Sequence, residues 1–239
     1  MNKIKDLNIK IFADGAGLDS FLKLNSLEHI KGFTTNPSLM RKNGVENFKD
    51  FSLNLLSKIK DKPISFEVFA DEILEMEKQA NEIASWGSNV FVKIPITNTK
   101  GESTKDLIRK LLNKKISCNV TAMFTFEQVK EIVDIVECDT PIILSIFAGR
   151  IADTGVDPVP LMREIVKYSK SKTNIEILWA STREVLNIFQ ADECGCQIIT
   201  VPTEMLDKIK YIGKDLNEFS KETVQTFFND ANSSKYKII

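Results

Sequence analysis

Val90-Phe91-Val92-Lys93-Ile94-Pro95-Ile96 places one lysine inside an apolar run bounded by Gly87 and by the polar Thr97-Asn98-Thr99. Its length and β-branched content describe a strand, and a continuous apolar strand buried on both faces is typical of a parallel sheet. There the Lys93 ammonium loses hydration, and desolvation disfavours its charged form. A neutral amine is a nucleophile that attacks carbonyls to give Schiff bases. The plainer alternative is a lysine at a strand end, its stem on apolar neighbours and its head in water. What ends the other apolar runs decides between the two.

Outward from this run, apolar stretches of strand length alternate with segments whose apolar residues recur at helical spacing. Asn8-Ile9-Lys10-Ile11-Phe12-Ala13 runs into Asp14. Gly32-Phe33-Thr34-Thr35 leads to Asn36-Pro37, an N-cap and first-turn pair. Pro63-Ile64-Ser65-Phe66 ends at Glu67, and Asp71 to Trp86 reads as a helix stopped by Gly87. After the lysine strand, Ser103 is expected to cap a helix carrying Leu107, Ile108, Leu111 and Leu112. Ile116-Ser117-Cys118-Asn119-Val120-Thr121 makes a strand, and Thr125-Phe126-Glu127-Gln128 has the form of a capping box. Pro141 to Phe147, Ile175 to Ala180 and Gln197 to Val201 complete the strands, with helices expected from Pro158 to Lys170 and from about Ser181.

Eight strand-helix units in 239 residues favour a single (β/α)8 TIM barrel of the α/β class over an open doubly wound sheet. No Gly-x-Gly-x-x-Gly follows the first strand, so the main sequence reason to prefer a dinucleotide fold is missing. The whole of 1–239 reads as one domain. A final amphipathic segment at about 214–232, with Leu216, Phe219, Val224, Phe227 and Phe228, is expected to lie across the barrel wall or on a neighbouring subunit.

Composition narrows the function. Hydrophobic residues make up 43% of the chain, enough for a sizeable core, and 32 basic residues nearly cancel 33 acidic ones. That balance gives no electrostatic reason to expect nucleic acid or a membrane as partner. Met1-Asn2-Lys3-Ile4-Lys5-Asp6-Leu7 lacks the apolar centre of a signal peptide, which points to a soluble, cytoplasmic protein. Cys118, Cys138, Cys194 and Cys196 suit reduced structural thiols better than a disulfide framework. His29 is the only histidine, expected in a surface loop, so a histidine-based triad or zinc site has little to build on. Proton transfer falls to carboxylates, hydroxyls, lysine or water.

In a barrel the C-terminal strand ends share one face, where the active site forms. In order they are Asp14, Asn36, Glu67, Lys93, Asn119 with Thr121, Ser145 with Phe147, and Ser181. Each has a structural alternative: Asn36 and Ser181 as caps, Asp14 in a turn with Gly15, Glu67 and Lys93 as a structural ion pair. Jointly the alternatives weaken, because buried charge is costly and here it recurs at one end. Gly149-Arg150-Ile151 and Ser181-x-Arg183 follow successive strands and supply two guanidinium groups and a hydroxyl for a phosphate monoester.

These residues resemble the transaldolases and the related fructose-6-phosphate aldolases. Phe33-Thr34-Thr35-Asn36-Pro37-Ser38 is similar to the family's Thr-Thr-Asn-Pro signature, Val92-Lys93-Ile94-Pro95 to its Schiff-base lysine motif, and Asn119-Val120-Thr121 to its Asn-x-Thr. Ser145-Ile146-Phe147-Ala148-Gly149-Arg150-Ile151-Ala152-Asp153 and Ala180-Ser181-Thr182-Arg183 match two further motifs. The resemblance implies an imine between Lys93 and a ketose phosphate, with no metal or other cofactor. It implies that Glu67 and Thr121 handle the catalytic water and that Asp14 moves the proton of the hydroxyl beside the broken bond. Asn36 and Asn119 would orient substrate hydroxyls, Ser145 would line the dihydroxyacetone site, and Arg150, Ser181 and Arg183 would hold the phosphate. Glutamate at position 67 and phenylalanine at 147 accompany transfer in the family, whereas glutamine and tyrosine accompany aldol cleavage. The implied activity is therefore transaldolase, with aldol cleavage or a non-catalytic sugar-phosphate-binding barrel as alternatives. A homo-oligomer is open. The chain departs from the pattern in Phe-Ala-Asp-Gly-Ala, which ends the first strand, at Ile146 and at Trp179, changes expected near the pocket.

Overall fold

The computed structural model describes residues 4–15, 17–234 and 236–238. Met1 to Lys3 of the amino-terminal stretch, and Ala16 of the first strand-end motif, lie outside them. Eight parallel strands close into a barrel in sequence order. They are β1 (Lys10–Asp14), β2 (Ile30–Thr34), β3 (Ile64–Glu67), β4 (Val90–Pro95), β5 (Cys118–Met123), β6 (Ile142–Ile146), β7 (Ile175–Trp179) and β8 (Ile198–Pro202). Around them run α1 (Leu18–Asn25), α2 (Pro37–Lys42), α3 (Phe48–Lys58), α4 (Ile73–Ala84), α5 (Lys105–Asn113), α6 (Phe126–Val133), α7 (Ala148–Asp153), α8 (Val159–Ser169), α9 (Leu186–Glu193), α10 (Thr203–Leu206) and α11 (Leu216–Ser234).

Period-two alternation sorts each strand into a helix-facing and an interior-facing set. In β4, Val90, Val92 and Ile94 are buried in the large core between sheet and helices. The base of the interior is a second apolar cluster of Phe12, Ile143, Leu178, Ala180 and Ile198, against which Phe91 and Phe147 pack. Gly32 makes this plug possible: a Cβ there would stand 2.6 Å from the Phe12 ring. The upper interior turns polar, with Thr34, Ser65, Asn119, Thr121, Ser145 and Thr200 all buried. Ile146 and Trp179, two of the departures from the family pattern, are paired in register and belong to the helix-facing core. They stand behind the wall of the pocket, not in it.

Local signals held where the chain supplied its own partners. Thr125 and Gln128 form the expected capping box of α6, and Asn36 caps α2 through the Leu39 amide at 2.8 Å. Three expectations need correction. The helix after β7 starts at Leu186, because Ser181 takes a left-handed φ of 64° and Asn187 Oδ1 accepts the amides of Arg183 and Glu184 instead. Ser103 pairs with Thr97 in an isolated bridge, and although its Oγ accepts the Lys105 amide at 3.2 Å the N-cap position of α5 falls one residue later, at Thr104. The terminal helix α11 has no buried residue, so it does not lie across its own barrel wall. Its apolar side chains, including Leu216, Val224, Phe227 and Phe228, are exposed. His29 lies in the turn before β2, half-buried. Burial pushes the Cys118 thiol up to about 12 and raises those of Cys194 and Cys196, so these cysteines resist becoming thiolates.

Candidate active site

Register builds the site. Glu67 pairs with Lys93 and Lys93 with Asn119 across β3, β4 and β5, which puts all three in one row on the inner face. Lys93 Nζ lies 3.1 Å from Glu67 Oε2 and 3.4 Å from the Thr35 carbonyl oxygen. The lysine side chain is 12% exposed and the glutamate 23%. One expectation is corrected here. The hydrocarbon flanking Lys93 in sequence points outward, so its amine borders a carboxylate and a carbonyl rather than apolar groups.

Asp14, at the end of β1, completes the charged set. Its Oδ1 accepts the Thr34 hydroxyl at 2.9 Å, and Asn36 Nδ2 approaches Oδ2 at 3.4 Å. Asn36 is thus both a helix cap and a neighbour of the carboxylate. Burial raises the Asp14 carboxyl above its ordinary value, with Glu67 adding to the rise, while Lys93 and the Thr34 hydrogen bond oppose it. A carboxyl held in that balance is suited to taking and returning a proton.

Asn119 is held by two hydrogen bonds beside the lysine, with one amide N–H left over. Its Nδ2 donates to Ser65 Oγ at 3.0 Å and its Oδ1 accepts from Ser145 Oγ at 2.7 Å. Thr121 Oγ1 is buried without a protein partner and lines the cavity. The next residue, Ala122, has a φ of 60°. Here β5 carries one residue more than β6 between paired positions, a bulge of the kind that re-aims side chains near sites.

Above this row opens a cavity of about 440 Å³ lined by Asp14, Asn36, Glu67, Lys93, Asn119 and Thr121, and also by Ser145, Phe147, Arg150 and Ser181. Ten of the eleven residues expected from the sequence therefore line one cavity. The Arg150 guanidinium stacks over the Phe147 ring at 5.2 Å. Arg183 is the exception: its Nε donates to Asp153 Oδ1 at 2.9 Å and its Nη2 to Oδ2 at 2.5 Å. That pairing holds the Asp153 carboxyl below its usual range. Gly149 lets the segments that follow β6 and β7 meet, since a Cβ there would fall 1.6 Å from the Ser181 carbonyl oxygen.

Thr34, Ser65, Thr200 and Ala122 escaped the sequence reading. The signal was available for two of them: Ser65 stands two residues before Glu67, and Thr121 would have led to Ala122 had the bulge been foreseen. Thr34 and Thr200 sit inside strands, where only the barrel's register shows that they meet.

Fold and cavity together define a barrel of the enzymatic kind, its polar site at the C-terminal mouth of the strands. Comparison with known proteins narrows this. Residues 11–238 match the family model described as Transaldolase/Fructose-6-phosphate aldolase. A "Probable transaldolase" of Dehalococcoides mccartyi is 32% identical over 199 residues, 83% of this chain and 88% of the relative. One from Clostridium kluyveri is 35% identical over the same shares, and one from Streptococcus agalactiae is 31% identical over 96% of this chain and all of the relative. The chain belongs to the transaldolase/fructose-6-phosphate aldolase family. Among solved structures, one from Streptococcus agalactiae described as a copper homeostasis protein aligns with a TM-score of 0.59 at 14% identity, covering 82% of this chain and 98% of its own. That likeness concerns the fold alone. Among the described residues no helix is long and apolar enough to cross a membrane.

Proposed function

We propose that the protein is a transaldolase, moving a dihydroxyacetone unit from a ketose phosphate such as fructose 6-phosphate or sedoheptulose 7-phosphate to an aldose phosphate through an imine on Lys93. The observation that carries this reading is the meeting of Lys93, Glu67 and Asp14 on one cavity wall. The Lys93 amine adds to the ketose carbonyl, and Glu67, with Thr121, delivers and removes protons through water as the carbinolamine loses its hydroxyl. Asp14 takes the proton of the hydroxyl next to the bond that breaks. The electron pair passes into the protonated imine, so the first aldose leaves and an enamine stays on the lysine. Attack on the second aldehyde and return of the Asp14 proton reverse the sequence, and water frees the product.

Asn36 and Asn119 orient substrate hydroxyls, Ser145 and Phe147 line the dihydroxyacetone end, and Arg150, Ser181 and Arg183 bind phosphate. On this reading the protein needs no metal or cofactor and works in the cytoplasm, in the pentose phosphate pathway. Borohydride reduction in the presence of fructose 6-phosphate, followed by peptide mass mapping, is expected to tag Lys93; no adduct overturns the proposal. The family description also covers aldol cleavage, which free dihydroxyacetone accumulating without an acceptor would reveal. A sensor-like barrel without chemistry would instead be stabilised by the sugar phosphate and show no turnover, and Lys93→Ala would leave that stabilisation in place.

A further inference from the structure

Asp14 has two hydroxyls arranged behind it, and only one touches it. Thr34 Oγ1 donates to Asp14 Oδ1 at 2.9 Å and lies 2.6 Å from Thr200 Oγ1. Thr34 and Thr200 are 4% and 8% exposed, and the Thr200 backbone carbonyl is in turn held by the Thr182 hydroxyl at 2.7 Å. The proton count fixes how this chain must be wired. A carboxylate only accepts, and a hydroxyl has one proton. While Asp14 is ionised, Thr34 spends its proton on the carboxylate, so Thr200 donates to Thr34. When Asp14 gains a proton on Oδ1, it donates, Thr34 turns its own proton toward Thr200, and the Thr200 proton swings to the cavity that Thr200 lines.

We infer that Thr200 is a positioning residue for Asp14, forming with Thr34 a two-hydroxyl relay that reverses its polarity and so satisfies the carboxyl group in both of its protonation states. No heavy atom moves. Two hydroxyl rotations replace the side-chain rearrangement or water entry that a one-way donor would demand on each cycle. A carboxyl that must alternate between base and acid profits from such a support, and a purely structural aspartate does not. The charged groups facing Asp14 are Lys93 from β4 and Glu67 from β3, and neither contacts Thr200 by hydrogen bond, so the relay acts apart from them.

The inference rests on the proposed role of Asp14, and its test is arranged so that the two can fail separately. Thr200→Val keeps the branched shape and removes the hydroxyl, while Thr200→Ser restores it. In Thr200→Val the borohydride adduct on Lys93 is expected to form as in the parent, whereas kcat for bond cleavage falls about ten-fold with KM little changed. A chain of hydrogen bonds ending on a charge is stronger than one ending on a neutral group. Losing Thr200 therefore moves the acid limb of the kcat profile to higher pH, and Thr200→Ser brings it back. Carbon-13 titration of the Asp14 carboxyl in the parent and in Thr200→Val reads the same displacement without any turnover. An unmoved Asp14 titration, or adduct formation and cleavage falling in parallel in Thr200→Val, overturns the inference. A parent that forms no adduct overturns the proposed function instead, and the carbon-13 comparison still decides the relay.

Discussion

Lys93 Nζ and Glu67 Oε2 stand 3.1 Å apart on neighbouring strands whose Cα atoms are paired in register. The sheet, not side-chain reach, fixes their meeting, so replacing one leaves the other in place and partly sheltered from water. Lys93→Met is expected to abolish the borohydride adduct and to lower turnover by more than about 10³-fold, the scale on which loss of a covalent nucleophile is felt. Removing one partner of a pair sheltered from water also leaves an uncompensated charge. The same variant should therefore unfold at lower urea than the parent, and the double variant Lys93→Met with Glu67→Gln should recover part of that loss.

Asp14→Asn separates chemistry from stability. Activity is expected to fall about 10² to 10⁴-fold, the usual contribution of a positioned acid or base. Because burial holds the folded carboxyl above its ordinary value, the folded state binds its proton more tightly than the unfolded chain does. The stability contributed is complete below an ordinary carboxyl value near 3.8 and is lost as pH rises through the folded value. Thermal unfolding of Asp14→Asn should thus show a higher Tm than the parent at neutral pH, and the difference should vanish in acid below that value.

The two arginines should not be equal. Arg150 lines the cavity, whereas Arg183 is engaged by Asp153 with both side chains about half exposed. Arg150→Ala is expected to raise KM for a ketose phosphate about 10 to 100-fold, equivalent to losing one charged hydrogen bond, with kcat less affected. Arg183→Ala should raise KM by less, and an exposed pair of this kind should contribute no more than about 1 kcal/mol to stability. Steady-state kinetics of both variants, with inorganic phosphate as competitor, checks the order.

Gly149→Ala is expected to be among the most damaging single changes. Its methyl group would stand 1.6 Å from a backbone carbonyl oxygen of Ser181, which cannot rotate away as a side chain can. A cost above about 3 kcal/mol follows from overpacking against backbone, measurable by urea unfolding or as loss of soluble protein.

The barrel was legible because its strand runs are short, apolar and separated by helical spacing, and because charged residues recur at their ends. Local signals failed where another partner or the strand geometry overruled them. Ser181-Thr182-Arg183-Glu184 has the letters of a capping box, yet Ser181 bends into a left-handed turn and the Arg183 and Glu184 amides donate to Asn187 instead. The same holds for Lys93: sequence neighbours suggested hydrocarbon around its amine, while alternation sent those neighbours to the other face. Thr200 was invisible for a different reason. A threonine within a β-branched run looks like any strand residue until closure of the barrel brings it to Thr34.

Phe12, seated on Gly32 at the foot of the interior, has a kinetic consequence. With that floor sealed by rings and aliphatic groups, nothing reaches the amine from below, and arrival and departure share the cavity side. For a reaction that exchanges one aldehyde for another, the first must vacate before the second can come in. Double-reciprocal plots at several acceptor concentrations should accordingly run parallel rather than intersect.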